Sequence, residues 1–211
     1  MSKAMPFLLC ILLVSCHSST SRVDAININL EKPDSIIQVV PNPRPDSSSV
    51  MITATQVLRF IKNDDYSGLA RYMHPKGTRF ASSNLVDTTK DKLFTGQQLI
   101  RLAASRDYLK WNTEMSGGPD ESLTVDQYFK RFIYDVDFIN APLKSVDTSV
   151  SKNSMKNNIK SIYRNATTVE YYYPGFDKKY DGMDYRGLTL VFETYHKTPR
   201  LVAIIHDQWT P

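Results

Sequence analysis

Four side chains near the end of the chain are of types that could do acid–base or binding chemistry. Asp184 and Tyr185 stand just before one apolar run, and His206 and Asp207 close a second one. If the two runs form an antiparallel hairpin, the start of the first strand lies beside the end of the second, so the four residues share one edge of the sheet. An imidazole near a carboxylate can act as a base, and Tyr185 or Trp209 could form a wall. We therefore predict a ligand-binding site at this edge.

Successive side chains of a strand point to opposite faces, so only one of His206 and Asp207 can point fully into a pocket. Both faces of that strand are apolar, and the pattern does not choose between them. Arg79, in a short predicted strand, would join the site if that strand bordered the pocket. A buried guanidinium must be paired, so Arg79 either forms a salt bridge or binds a ligand carboxylate. His206 can equally be a structural residue that bonds backbone at the strand end.

No motif of the sequence specifies a reaction. It contains no HExxH metal pattern, no Gly-x-Ser-x-Gly nucleophile turn and no glycine-rich phosphate loop. We therefore predict no catalytic residue, no metal site and no cofactor, and we favour a binding role over an enzymatic one. In the alternative, His74 or His206 acts with Asp184 or Asp207 in a small hydrolase or isomerase pocket.

The sequence alternates between helical and extended patterns in a set order. Capping boxes begin helices after Thr95 and after Thr124, and the second helix presents Phe129 and Phe132 on one face. After Pro142 the pattern is that of strands, ending in a hairpin. Helices followed by antiparallel strands predict an α+β fold with helices packed on one face of a curved antiparallel sheet. We expect the two phenylalanines to pack against the hairpin through Leu190, Phe192, Ala203 or Ile205.

The pattern of the predicted hairpin strand 201–206 also predicts which face of the sheet each of its side chains occupies. Strict alternation places Leu201, Ala203 and Ile205 on the face of Asp207, and Val202 and Ile204 on the face of His206.

The order of elements resembles the NTF2-like fold, in which helices pack against a bent sheet. Three stretches, 74–80, 184–193 and 205–210, resemble a family of exported bacterial proteins of uncharacterised activity. The resemblance implies a shared fold and no stated activity, so it supplies no catalytic residues.

The first sixteen residues have the pattern of an export signal. Lys3 precedes an apolar run that is too short to cross a bilayer. The sequence Leu13-Val14-Ser15-Cys16 resembles the lipobox of bacterial lipoproteins. The resemblance implies that residues 1–15 are cleaved and that Cys16 is lipidated, whereas the alternative is an ordinary signal peptide with an unmodified cysteine. Cys10 would leave with the signal, so no disulfide is expected.

Lipid on Cys16 would anchor the protein in the cell envelope, with the membrane as a partner. His17 follows the cysteine instead of an acidic residue, which by analogy favours the outer membrane, at its periplasmic or surface face, over the inner membrane. The net charge of +4 is small and its lysines and arginines are scattered, so no nucleic-acid partner is expected. The oligomeric state is left open.

Composition divides the chain into three parts. We predict a signal peptide at 1–15, a lipidated cysteine with a flexible, proline-containing tether at 16–49, and a single α+β domain at 50–211. Residues 25–30 alternate and could instead add an edge strand.

These observations predict an envelope-tethered lipoprotein that acts as a non-catalytic binding or accessory module for a small molecule or peptide. The alternatives are the small pocket enzyme and a structural partner in an envelope complex, which would show an exposed apolar patch.

Overall fold

A six-stranded sheet is the main element of the fold. The computed structural model describes residues 43–113, 119–151 and 157–209, so the predicted signal peptide, Cys16, most of the tether and the possible strand at 25–30 lie outside the described residues. The strands of the sheet are β1 (Thr78–Ala81), β2 (Lys92–Phe94), β5 (Leu143–Val146), β6 (Thr167–Tyr173), β7 (Arg186–Tyr195) and β8 (Thr198–Gln208), and a separate hairpin pairs β3 (Leu109–Trp111) with β4 (Glu121–Leu123).

The strand order is β2-β1-β8-β7-β6-β5. Neighbouring strands are antiparallel, except that β1 and β8 are parallel. The α-helices of the described residues are α1 (Ser47–Lys62), α2 (Tyr66–Ala70), α3 (Gly96–Ser105), α4 (Val125–Phe132) and the single turn α5 (Ile159–Ile162). The predicted α+β class is confirmed, with early helices and a mostly antiparallel sheet. None of the described helices is both long and apolar enough to span a membrane.

Local sequence signals account for the start of each long helix. Both predicted capping boxes form: Thr95 and Thr124 each accept the backbone N–H three residues on, while the glutamine there bonds back to the cap. Asp46 caps α1 by accepting the backbone N–H of Ser49. Residues just before α1 also contact the sheet domain, because Arg44 forms a salt bridge of 2.6 Å with Asp147.

One face of the sheet, called here the core face, packs against α1, α3 and α4. Its main members are Phe80, Leu188, Leu190, Phe192 and Ile204 from the strands, and Val57, Leu58, Leu99, Phe129 and Phe132 from the helices. Trp111 stacks on Tyr128 with 3.7 Å between ring centroids, which joins the small hairpin to this core. The aromatic helix face and the hairpin residues Leu190 and Phe192 therefore share one cluster, as predicted.

The opposite face, called here the outer face, is covered by irregular chain. Its apolar cluster contains Ala81, Val191, Val202, Ala203 and Ile205 from the strands, with Val86, Ile159 and Ala166 laid over them. Ala203 and Ile205 therefore do not contact the Phe129 cluster, contrary to expectation, because alternation turns them away from the helices. The single-turn α5 and the loop 82–91 cover the apolar side chains of the outer face, as the longer helices cover those of the core face.

A β-bulge explains where strict alternation fails. The register shifts between Val191 and Phe192, so that Val191 pairs with Ala203 and Phe192 with Leu201. Val202 is the extra residue, and the local bend returns Leu201 to the core face. The predicted sidedness of Leu201 and Val202 is therefore wrong, whereas that of residues 203–205 is right.

Candidate functional site

His206 lies on the core face and is fully buried, with 0% of its surface exposed. Its Nε2 is 2.9 Å from Oδ1 of Asp135, and Nε of Arg186 is 2.6 Å from the other oxygen of the same carboxylate. The ring of Phe138 meets the imidazole edge-on at 6.0 Å. Sequence reasoning missed Asp135, because it stands 71 positions away from His206 in the loop after α4.

The partners of Asp135 determine the pKa of its carboxyl group. Burial alone would raise its pKa, but the hydrogen bond from His206 and the guanidinium of Arg186 outweigh burial and hold the pKa of Asp135 below its usual value. Asp135 is therefore a carboxylate, and Nε2 of His206 donates to it. Both oxygens of Asp135 have partners from the protein, whereas Nδ1 of His206 is buried with no hydrogen-bond partner among the described residues. Because His206 is fully buried, this cluster stabilises the fold and is not open to a ligand.

Asp207, the next residue, lies on the outer face, in agreement with the expected alternation. The hydroxyl of Tyr185 donates to its Oδ1 at 3.2 Å, and Nδ2 of Asn84 donates to its Oδ2 at 3.3 Å. The prediction that the start of β7 meets the end of β8 thus places Tyr185 and Asp207 in contact. Asn84 belongs to the loop after β1, and no sequence signal points to it.

Beside Asp207 is a polar recess, called here the outer-face cleft. Its inner pocket has a volume of about 40 Å³ and is lined by Asn84, Ser149, Ser151, Asn157, Ile159, Glu170, Gly187, Thr189, Ile205 and Asp207. A wider chamber of about 210 Å³ shares Ser149, Asn157, Ile159, Glu170 and Thr189 with it, and adds Asp147, Thr148, Lys160 and Thr168. Since one water needs roughly 10–15 Å³ on the same measure, the inner pocket has room for a small polar group.

Strand register explains why the cleft is polar. Glu170 of β6 pairs with Thr189 of β7, and Gly187 of β7 pairs with Asp207 of β8. Directly paired residues share a face of the sheet. The residues that alternate with these pairs along β6 and β7 belong to the core cluster, so the pairs themselves lie on the outer face. A glutamate in the middle of a strand of threonine, valine and tyrosine is an unusual residue there, and this is the sequence signal that could have identified Glu170.

Glu170 is held by neutral donors. It accepts the backbone N–H of Val150 at 2.8 Å and the hydroxyl of Ser149 at 3.3 Å. Burial raises the pKa of Glu170, and the nearby charge of Asp207 adds to the effect, while these hydrogen bonds oppose it. Burial also raises the pKa of Tyr185, reinforced by Asp207. The cleft therefore brings two carboxylates close enough to repel each other.

Asn84 supplies the least satisfied atom of the cleft. The residue is only 8% exposed, and its Nδ2 is engaged by Asp207. Its Oδ1 is buried and has no hydrogen-bond partner within the described ranges. A buried acceptor without a partner costs about 1–3 kcal/mol, so this atom marks a place where a donor is expected.

The remaining predicted site residues lie elsewhere. Arg79 donates to the backbone carbonyls of Thr88 and Asp91 at 3.1 and 2.9 Å, which fixes the loop 82–91. It pairs with Ala203, about 13 Å along β8 from Asp207 at roughly 3.3 Å per residue. Its charge is thus met by carbonyl oxygens and not by the expected carboxylate.

Asp184 and Trp209 have structural roles. One oxygen of Asp184 accepts the backbone N–H groups of Phe176 and Asp177 at 3.1 and 2.7 Å, which shapes the loop before β7. Trp209 is 40% exposed, and its carbonyl accepts from Arg186. Of the six predicted residues, the structure places only Tyr185 and Asp207 in direct contact at the cleft.

The histidine–aspartate arrangement of the enzyme alternative is not formed. His206 bonds Asp135 instead of Asp184 or Asp207, and Nδ1 of His74 accepts the backbone N–H of Lys76 at 3.1 Å. Within the described residues, no three histidine, cysteine, aspartate or glutamate side chains are grouped so as to hold a metal ion.

No family model and no curated protein matches this chain. Among solved structures, it is similar to the β subunit of benzoate 1,2-dioxygenase from Burkholderia mallei. The identity is 11% and the TM-score 0.33, over 78% of this chain and 91% of that one. The fold class stated above rests on this chain's own strand order and helix packing.

Proposed function

We propose that this protein is a lipid-anchored binding module of the cell envelope whose small polar ligand occupies the outer-face cleft. The observation that carries the binding proposal is the buried Oδ1 of Asn84, an acceptor without a partner at the wall of a recess. A ligand donor at this position would remove the cost of the unsatisfied atom. A binding role also agrees with the burial of His206, whose Nε2 bonds Asp135 and whose ring is not exposed.

A screen of small polar compounds by ligand-observed NMR tests the proposal. The mature protein, purified in detergent, is compared with Asn84→Ala and with Asn165→Ala, a matched change at an exposed asparagine. We expect hits that compete with one another, bind the wild type and the Asn165 variant, and are lost with Asn84→Ala. Hits that survive Asn84→Ala in a protein of unchanged melting temperature would place binding elsewhere, and a screen without hits would contradict the proposal.

The anchor is supported by the Leu13-Val14-Ser15-Cys16 sequence after a short apolar run. The full-length gene is expressed in a bacterium as wild type, Cys16→Ala and Cys10→Ala, and each product is fractionated and its N-terminus weighed. We expect a lipid-modified protein in the membrane fraction for the wild type and for Cys10→Ala, because residue 10 leaves with the signal. Cys16→Ala should lose the modification. An unmodified wild-type protein in the soluble fraction would refute lipid anchoring.

A further inference from the structure

We infer that the outer-face cleft selects ligands that carry a primary ammonium group, which sits in the inner pocket against Asn84, Glu170 and Asp207. This inference rests on the proposed binding function and adds the chemical class of the ligand. It depends on the hydrogen-bonding state, the charge and the size of the inner pocket.

Three polar donors at the carboxylates of the inner pocket are already engaged. Nδ2 of Asn84 and the hydroxyl of Tyr185 both donate to Asp207, and the hydroxyl of Ser149 donates to Glu170. These donors leave acceptor capacity on the pocket wall: Oδ1 of Asn84, which is buried and unpartnered, and the carboxylate of Glu170, which can accept up to about four hydrogen bonds. A group that fits must therefore donate hydrogen bonds.

Charge favours a cation over a neutral donor. Glu170 and Asp207 line the inner pocket, and none of its lining residues within 43–113, 119–151 and 157–209 is a lysine, arginine or histidine. Lys160 lines the wider chamber, but its ammonium group lies 2.9 Å from Asp147. Within the described part of the chain, Glu170 makes hydrogen bonds to neutral donors and no ion pair. Bringing two carboxylates together costs electrostatic free energy, and a cation between them recovers it.

Size and shape narrow the class of cation. On the same measure, a volume of about 40 Å³ has room for about three water-sized groups, enough for an ammonium head group and the start of its carbon chain, and none of the described lining residues is aromatic. Trimethylammonium groups are bulkier, donate no hydrogen bond and are usually bound in aromatic cages. A primary ammonium offers three donors, which match one amide oxygen and two carboxylates. The rest of the ligand would extend into the chamber, past Thr148, Thr168 and Ile159.

The test compares matched probes on the mature protein at constant ionic strength. The probes are 4-amino-1-butanol, 1,4-butanediol and choline, and their dissociation constants are measured by NMR titration. We expect the amine to bind about tenfold or more tightly than the diol, since a charge-assisted hydrogen bond exceeds a neutral one by at least that ratio. Choline should bind no better than the diol.

Two glutamate variants locate the effect. Glu170→Gln removes one of the two carboxylates that line the pocket, and we expect it to weaken amine binding about tenfold while binding of the diol is little changed. Glu193→Gln is the matched control, because Glu193 is another half-buried strand glutamate that does not line the cleft. Melting curves verify that each variant folds.

The outcomes separate the inference from the proposed function. Equal binding of amine and diol, both lost with Asn84→Ala, would overturn the ammonium preference and leave the binding function standing. Equal weakening by Glu193→Gln would show a general charge effect and overturn the inference. If neither the amine nor the diol binds, the ammonium inference fails, and the wider screen of polar compounds decides the binding function on its own.

Discussion

Asp135 on the core face and Glu170 on the outer face are both largely shielded carboxylates, yet their surroundings differ in kind. Asp135 contacts a guanidinium and an imidazole, whereas Glu170 accepts hydrogen bonds from a backbone amide and a hydroxyl. The pKa of Asp135 is accordingly lowered despite burial, and that of Glu170 is raised by burial and by Asp207. A carboxylate paired with a guanidinium inside the protein stabilises the fold, and one held by neutral donors at a recess can still attract a cation from outside.

The core face should carry most of the stability, and this can be tested by truncating Phe129, which packs against Phe80 with 5.5 Å between ring centroids. We expect Phe129→Ala to lower the free energy of unfolding by about 3–5 kcal/mol, because it removes a buried ring and leaves a cavity. Denaturant unfolding followed by tryptophan fluorescence measures the change. Ile52→Ala, on an α1 side chain that is 73% exposed, is the control and should change stability by less than about 0.5 kcal/mol. A similar loss in both variants would contradict the assignment of this core.

Substitution of Asp135 tests the buried ion pair with Arg186 and the hydrogen bond with His206. We expect Asp135→Asn to cost about 3 kcal/mol or more, because an amide cannot accept from both Arg186 and His206 and leaves the guanidinium uncompensated. Lys110→Ala, which breaks the exposed ion pair with Asp120, should cost less than about 1 kcal/mol. Equal effects in the two variants would show that the buried cluster contributes no more than a surface pair.

The contribution of Asp135 to the stability of the fold should decrease in acidic solution. Its pKa in the folded protein lies below the unfolded value of 3.8, so its contribution is fully present above that value and is lost as the pH falls through the folded pKa. The stability difference between wild type and Asp135→Asn should therefore be constant from neutral pH down to about pH 5 and shrink in more acidic solution. Urea unfolding of both proteins at a series of pH values measures it. A difference that grows on acidification would contradict this.

Substitution of Glu170 should give the smallest change in the free energy of unfolding, and its pH dependence should have the opposite sign to that of Asp135. Its pKa lies above the unfolded value of 4.5, so the ionised side chain destabilises the fold as the pH rises through the folded pKa. We expect Glu170→Gln to be neutral or to gain up to about 1 kcal/mol at pH 7, since the amide oxygen still accepts from Val150 and the amide group can donate to Ser149. The gain should vanish below about pH 4. A loss above about 1 kcal/mol at pH 7 would mean that the charge of Glu170 stabilises the protein.

The sequence predicts local features of this fold well because their causes are local. The capping boxes at Thr95 and Thr124 depend on a spacing of three residues, and the hairpin of β7 and β8 depends on two adjacent apolar runs. The contact of Tyr185 with Asp207 follows from the same hairpin. The bulge at Val202 was not predictable, because no residue type in that run distinguishes a bulge from regular pairing.

The cleft was only partly predictable because distant segments assemble it. Asp207 follows from the hairpin, and Glu170 carries a weak signal as a strand glutamate. Asn84 and Asn157 lie in connecting segments, and their position depends on which loops cover the outer face. His206 and Asp207 lie on opposite faces of the sheet, as the alternation predicts, and the partner of His206 is Asp135, from a loop that the hairpin pattern does not indicate.

The parallel pairing of β1 with β8 has a consequence for how the chain folds. Thr78, at the start of β1, bonds the carbonyl of Leu201, 123 positions further along. The centre of the sheet therefore cannot close until the last strand has been synthesised, and contacts of such large sequence separation slow folding. A nascent chain would stay open throughout translation. If the proposed export signal directs the chain to a secretion channel, this delay would help to keep it in the unfolded state that such a channel accepts.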